Sequence, residues 1–265
     1  MSANTAPREQ RVGPNEIMKT QLSEYISAGF LVTREVDRPS YVSSELLPDR
    51  ILSASGCIAP FAPDIWCIGW TQDTKDLRIE GARAFELDSQ ALKEIIAWAT
   101  ARFDKSIRWP NIIIDLDTAN ELVNRFLGNL KDVKVLELCL HISMTNGFCK
   151  EAEPEPQKPG FAPNGRQGVH EVILEEKPPT NGGCILGFEP LVFNYTLSCS
   201  WLCNSLETQI EQALKIKPNQ HGFIDSFDEA LKCVEYISRD DVGAEPGLWL
   251  PWLVIDHTKR VQQRH

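Results

Sequence analysis

The stretch from Cys184 to His257 constrains the fold of this chain more than any other part of it. It reads as a strand, two capped helices and an aromatic terminal strand, with Trp201, His221, Trp249 and Trp252 at structural positions. Ile185 to Asn194 is an apolar run of strand length. Asn204 followed by Glu207 has the capping-box pattern, in which the first side chain accepts from an open backbone N–H and the acid reaches back; it predicts a helix to Ile216. Ser226 with Glu229 is the strongest such cap. It opens a helix to Ile237 whose Phe227, Ala230, Leu231, Val234 and Ile237 share one face. Leu248 to Ile255 is the terminal strand. Pro251 inside it predicts an edge position or a bulge, because proline donates no ladder hydrogen bond.

The same signals extend toward the N-terminus. Residues 1–20 are polar and predict a flexible start. Gln21 to Ala28, ended by Gly29, predicts a short helix, and the run Asp64 to Trp70 a buried strand. Asp88 or Ser89 caps a helix to Phe103 with Leu92, Ile95, Ile96 and Ala99 on one face. Trp109 to Leu116 predicts a strand. Thr118 with Glu121 then caps a helix ending near Gly128, and Val133 to Met144 is a further strand. This β-α-β-α-β order favours a partly parallel sheet. Glu151 to Gly160, extended by Pro163 and Gly165, is too rich in proline for helix or central strand. Beyond it, Val169 to Leu174 and Ile185 to Asn194 predict a hairpin around the turn Pro178 to Gly183. The expected class is α+β (mixed α/β), a central mixed sheet with helices packed on it and a helix-rich C-terminal portion. Residues 1–150, a Pro-rich loop or linker at 151–168 and residues 169–265 form its divisions, within two domains or one.

Of the 265 residues 42% are hydrophobic and 24% charged, as in soluble globular proteins, and the net charge is −10. That balance excludes a nucleic-acid binder, which needs a basic face, and suits a basic partner. The N-terminal stretch lacks the apolar core of a signal peptide and no run is long enough to span a membrane, so the expected location is the cytoplasm. The eight cysteines lie in apolar stretches and read as small buried hydrophobes of a reducing compartment.

Candidate chemistry is sparse. Asp115-Leu-Asp117 follows Ile112-Ile-Ile114, and two carboxylates at a strand end suit Mg²⁺ or Mn²⁺ as hard oxygen ligands. The spacing resembles the Asp-x-Asp of metal-dependent glycosyltransferases; the competing reading is a helix cap. Cys199 and Cys203 have a knuckle-like spacing with no second ligand pair. Cys139 and His141 share a strand face amid core residues. His221 in a loop and Asp256–His257 at a strand end are acid–base candidates. No phosphate-cradling or nucleophile-elbow motif is present. Trp66, Trp70, Trp249 and Trp252 are candidate partner-binding aromatics.

Gly187-Phe-Glu189, Ser200 to Glu207, Gly222 to Ala230 and Gly243 to Trp252 together resemble the closing portion of uncharacterised bacterial cytoplasmic proteins, some of them similar to toxin-immunity proteins. The resemblance covers residues 184–257 and transfers no catalytic residue. It implies an interaction protein that binds and neutralises a bacterial toxin, a basic protein by charge, without a cofactor. The alternative is a metal-dependent transferase or hydrolase using Asp115 and Asp117.

Overall fold

The computed structural model describes residues 22–43, 45–62, 84–108, 112–152, 166–194 and 197–258. In chain order these form β1 (Tyr25–Arg34), β2 (Val36–Asp37), β3 (Arg50–Ile51), β4 (Phe61–Ala62), α1 (Ser89–Thr100), β5 (Ile107–Arg108) and β6 (Ile112–Ile113). There follow α2 (Leu116–Leu122, continued by a wider turn over Val123–Leu127), β7 (Val133–His141), α3 (Ile142–Ala152) and α4 (Arg166–Ile173). The remainder comprises β8 (Cys184–Asn194), β9 (Leu197–Ser200), a 3₁₀ turn (Trp201–Asn204), α5 (Glu207–Leu214), α6 (Phe227–Ile237) and β10 (Trp249–Asp256). The expected strand 64–70, with Trp66 and Trp70, and residues 153–165 of the Pro-rich stretch lie outside the described residues.

The class is α+β. The main sheet runs β5-β6-β1-β7-β10-β8-β9, with β4 also on β1, and every named strand pairing in it is antiparallel. The expected partly parallel sheet is therefore replaced by an antiparallel one. The helices that follow its strands do not return the chain in the same direction. Strands from both sides of the Pro-rich stretch are neighbours, since β7 pairs with β10.

Strand alternation divides the core. On β7, Leu136, Leu138 and Leu140 face one side, where Phe148 of α3 and Val169, Val172 and Ile173 of α4 cover them. Val133, Val135 and Cys139 face the other. There α1 and α2 pack at one end through Ile95, Trp98, Ala99 and Leu122, and α5 and α6 at the other through Ile210, Ala230, Cys233 and Ile237.

Five local expectations change. Residues 25–34 are a strand, not a helix before Gly29: Tyr25 to Thr33 are all buried, so no one-sided pattern marks them. Gly29 instead occupies the irregularity between Ser27 and Phe30 at φ +96°. Residues 169–173 belong to helix α4 and Leu174 to the turn after it, since Val169, Val172 and Ile173 are buried at helical spacing, and no hairpin with β8 exists. The strand expected to reach Met144 ends at His141, and the one expected over 109–116 is Ile112–Ile113. Asn204 does not cap α5; Ser200 caps the 3₁₀ turn before it.

The best local signals hold. Asp88 accepts from the backbone of Gln90 and Ala91 to start α1, and Ser226 accepts from Glu229 N to start α6. The expected strand 248–255 is β10, and it is internal, between β7 and β8. Its proline is tolerated because β7 flanks only Leu253–Asp256 and because Pro251 faces Pro190 across β8, a rung at which neither residue donates.

A Cβ on Gly29 meets Ile112 Cγ2 at 2.5 Å and Ile113 O at 2.9 Å. Gly29→Ala is expected to cost about 2 kcal/mol or more through strain and displaced packing, read as a lower urea midpoint at unchanged slope.

Candidate functional site

Residues 38–43 and 45–60 lie as an excursion between the paired strands of the sheet, and two carboxylates from the far half of the chain pin them. Glu189, buried in β8, accepts from Ser53 Oγ at 2.6 Å and from Ala54 N at 2.8 Å. Glu207, at the start of α5, is buried and accepts from Ser43 N at 2.7 Å. Within the excursion the Arg38 guanidinium donates to Val42 O at 2.6 Å and Pro48 O at 3.1 Å, while Arg38 N donates to Asp49 O at 2.7 Å. Val42 and Leu47 anchor it in the core from below. The result is a fixed platform with Tyr41 on its outer face, 52% exposed. The Asp37 and Asp49 carboxylates stand fully in water beside it, and Glu45 is exposed.

Three thiols lie where this excursion meets β9 and the 3₁₀ turn. Cys57 Sγ is 3.5 Å from Cys199 Sγ. Cys203 Sγ accepts from Ser200 N at 3.2 Å and lies 3.3 Å from Ser55 Oγ. S–H donation from Cys199 and Cys203, helped by the Ser55 hydroxyl, pulls the Cys57 thiol below its ordinary range. Burial pushes the Tyr41 phenol up, with smaller contributions from Cys203 and Cys57.

A second polar cluster sits inside the sheet. Glu137 of β7 is wholly buried on the face between the α1–α2 and α5–α6 packings. Ser27 Oγ donates to its Oε1 at 2.6 Å, His257 Nε2 to its Oε2 at 2.7 Å, and Thr180 N to both oxygens at 3.1 Å. The carboxylate separates the serine from the imidazole, so the histidine is not placed to take the serine proton. This is the reverse of a nucleophile relay, in which the histidine stands in the middle.

The candidates read from the sequence are dispersed. Asp115 caps α2: its Oδ1 accepts from Thr118 N at 2.7 Å and its Oδ2 from Thr118 Oγ1 at 2.8 Å. Thr118 is therefore the donor rather than the cap. Asp117 is exposed, and Glu121 turns to Trp98 Nε1 and the Arg102 guanidinium. Among the described residues no group of three or more His, Cys, Asp or Glu side chains is set to hold a metal ion. Trp249 and Trp252 are core residues of β10, 2% and 0% exposed, and offer no surface to a partner.

His221 is a turn residue; its N–H donates to Asn219 Oδ1, which also accepts from Phe223 N. Asp256 and His257 do not pair: Asp256 takes Thr258, while His257 turns inward to Glu137. Cys139 is buried, and His141 stacks on Phe227 with centroids 4.5 Å apart. Cys199 and Cys203 do meet, and Cys57 joins them.

The buried glutamates were the missed residues. The signal available was an acid within an apolar strand run, Val135-Leu-Glu-Leu-Cys139 and Gly187-Phe-Glu-Pro-Leu191. Compared with protein-family models, curated proteins and solved structures, the chain matches none of them. Among the described residues no helix is long and apolar enough to cross a membrane.

Burial pushes the Glu189 carboxyl from 4.5 up to about 7, against the pull of its donors. In the unfolded chain it loses its proton near 4.5, so between there and about 7 the folded state holds a proton that the unfolded state has released. Its contribution to stability is complete below that window, falls through it by about 3 kcal/mol, and is level above. Glu189→Gln is expected to flatten this decline in urea midpoints measured from acid to neutral pH. Asp115→Ala is expected to cost about 1 kcal/mol as a lost cap, with Asp115→Asn close to wild type in the same denaturation.

Proposed function

We propose that this chain is a cytoplasmic interaction protein, an immunity-type inhibitor that binds a basic bacterial protein toxin and occludes it. The observation that carries the reading is the pinned platform, which presents exposed Tyr41 together with the water-exposed carboxylates of Asp37, Glu45 and Asp49, although Asp37 and Asp49 each lie within 4 Å of an arginine, Arg50 and Arg38. A tyrosine brings a large amphipathic surface with few rotamers to lose, the character of an interface anchor. A loop already held by Glu189, Glu207 and Arg38 has met its ordering cost on folding, which favours binding. Surrounding carboxylates steer a basic partner toward the anchor, and the net charge of −10 acts in the same sense. The resemblance of residues 184–257 to uncharacterised bacterial cytoplasmic proteins, some of them similar to toxin-immunity proteins, is in keeping with it. The alternative of a Mg²⁺ or Mn²⁺ enzyme gains no support from Asp115, both of whose oxygens are engaged by Thr118.

The test is co-expression with a toxin encoded beside this gene, followed by isolation of a 1:1 complex. Growth is expected to be restored. Tyr41→Ala is expected to weaken the complex by about tenfold or more, as loss of a central aromatic does. Asp49→Lys is expected to slow association most at low salt, since steering acts on the encounter. Neither rescue nor a complex overturns the reading.

A further inference from the structure

We propose that Cys57 is a site of reversible oxidation by hydroperoxides, with Cys199 as the thiol that resolves it to an intramolecular disulfide. The reading stands on the geometry of the three-thiol cluster and does not depend on the toxin partner.

Cys57 is exposed, on a turn in which Ile58 N and Ala59 N both donate to Ser55 O, so an oxidant reaches it without opening the fold. Its neighbour is at hand: the Cys57 and Cys199 sulfurs are 3.5 Å apart although the residues are 142 apart in the chain. A disulfide holds its sulfurs about 2 Å apart, so closure asks for an approach of about 1.5 Å. The elements that must give are the turn around Cys57, of which Cys57 is exposed while Ser55, Ile58 and Ala59 are buried, and β9, the outermost strand at its end of the sheet. A strand paired on one side alone shifts more readily than a central one. The S–H groups of Cys199 and Cys203 and the Ser55 hydroxyl favour a thiolate at Cys57, the reactive form.

The other described cysteines differ in kind. Cys139 and Cys233 are buried in apolar surroundings that push their thiols up, Cys233 to about 12. Cys184 is exposed, and its thiol turns to its neighbour's carbonyl, Ile185 O, at 3.8 Å.

The Cys57 thiolate attacks the terminal, hydroxyl-bearing oxygen of the hydroperoxide ROOH; the O–O bond breaks, that hydroxyl stays on sulfur as the sulfenic acid, and the departing alkoxide takes from solvent the proton that the thiol had released, leaving as ROH. The Cys199 sulfur then attacks the sulfenic sulfur, the S–O bond breaks, and the thiol proton leaves with the hydroxide as water. A small dithiol reverses the state by exchange, taking the disulfide itself. The link would fasten the excursion that carries Tyr41 to the edge strand.

The experiment starts from the full chain, reduced and freed of metal by chelator, and treats it with graded hydrogen peroxide. Alkylation and peptide mass mapping under non-reducing conditions then follow each cysteine. The expected product is a Cys57–Cys199 link within one molecule, removed by dithiothreitol, with Cys57 consumed about tenfold faster than Cys184 as thiolate character demands. In Cys199→Ser, dimedone is expected to trap a sulfenic acid at Cys57. In Cys57→Ser, whose side chain is at the surface, no link to Cys199 is expected. The proposal is overturned if wild-type Cys57 reacts no faster than Cys184. It is equally overturned if the link joins Cys57 to Cys203, involves Cys184, or forms between molecules.

Discussion

Glu137 is the interaction on which the sheet depends. A carboxylate this deep carries a desolvation penalty that only donors can offset, and it has four bonds from three of them: the Ser27 hydroxyl, the His257 ring and the Thr180 backbone. Those donors come from β1, from the residue after β10 and from the connection before β8. One side chain therefore fixes the relative positions of strands distant in sequence. The cost of leaving it unpaired exceeds what any one of those contacts adds, so the assembly favours a single arrangement.

Glu189 and Glu207 repeat the device at the edge of the fold, where each takes a backbone N–H from the excursion of residues 38–43 and 45–60. Irregular backbone cannot satisfy itself as a helix does, and a buried acceptor from elsewhere gives it a partner. In this way a segment whose regular structure is the two-residue strand β3 is tied to the sheet beside it. The platform and the thiol cluster both follow from that anchoring, since each needs the excursion to return to one place.

What could be read from the sequence divides along the same line. Helices α1 and α6 were legible because Asp88 and Ser226 act within three residues of themselves. The α+β class was legible in the mixture of apolar runs and capped segments. β1 was not: burial of both its faces erased the alternation, and Gly29 looked like a stop instead of a bulge. α4 was hidden because Val169, Val172 and Ile173 are β-branched yet spaced for a helix. Cys199 and Cys203 were visible as a pair. Their third member is 142 residues from Cys199, and the anchoring of the excursion, by Glu189 and Glu207 among others, brings it there. Asp115 was correctly seen as a strand-end carboxylate, but its spacing could not distinguish a ligand from a cap.

The facing prolines of β8 and β10 bear on how the chain avoids associating with itself. Leu248 to Ile255 is as apolar and as rich in strand-forming residues as the segments that stack into fibrils. Until β10 docks between β7 and β8, that run is open to pairing with copies of itself. Pro251 at its centre removes a donor from any such ladder, and Pro190 does the same for β8. In the native pairing the two deficits coincide at one rung, so the folded sheet bears the loss once, whereas a mispaired sheet would meet it at every layer. The prolines thus act as gatekeepers of solubility during folding, at a position where the finished structure hardly registers them.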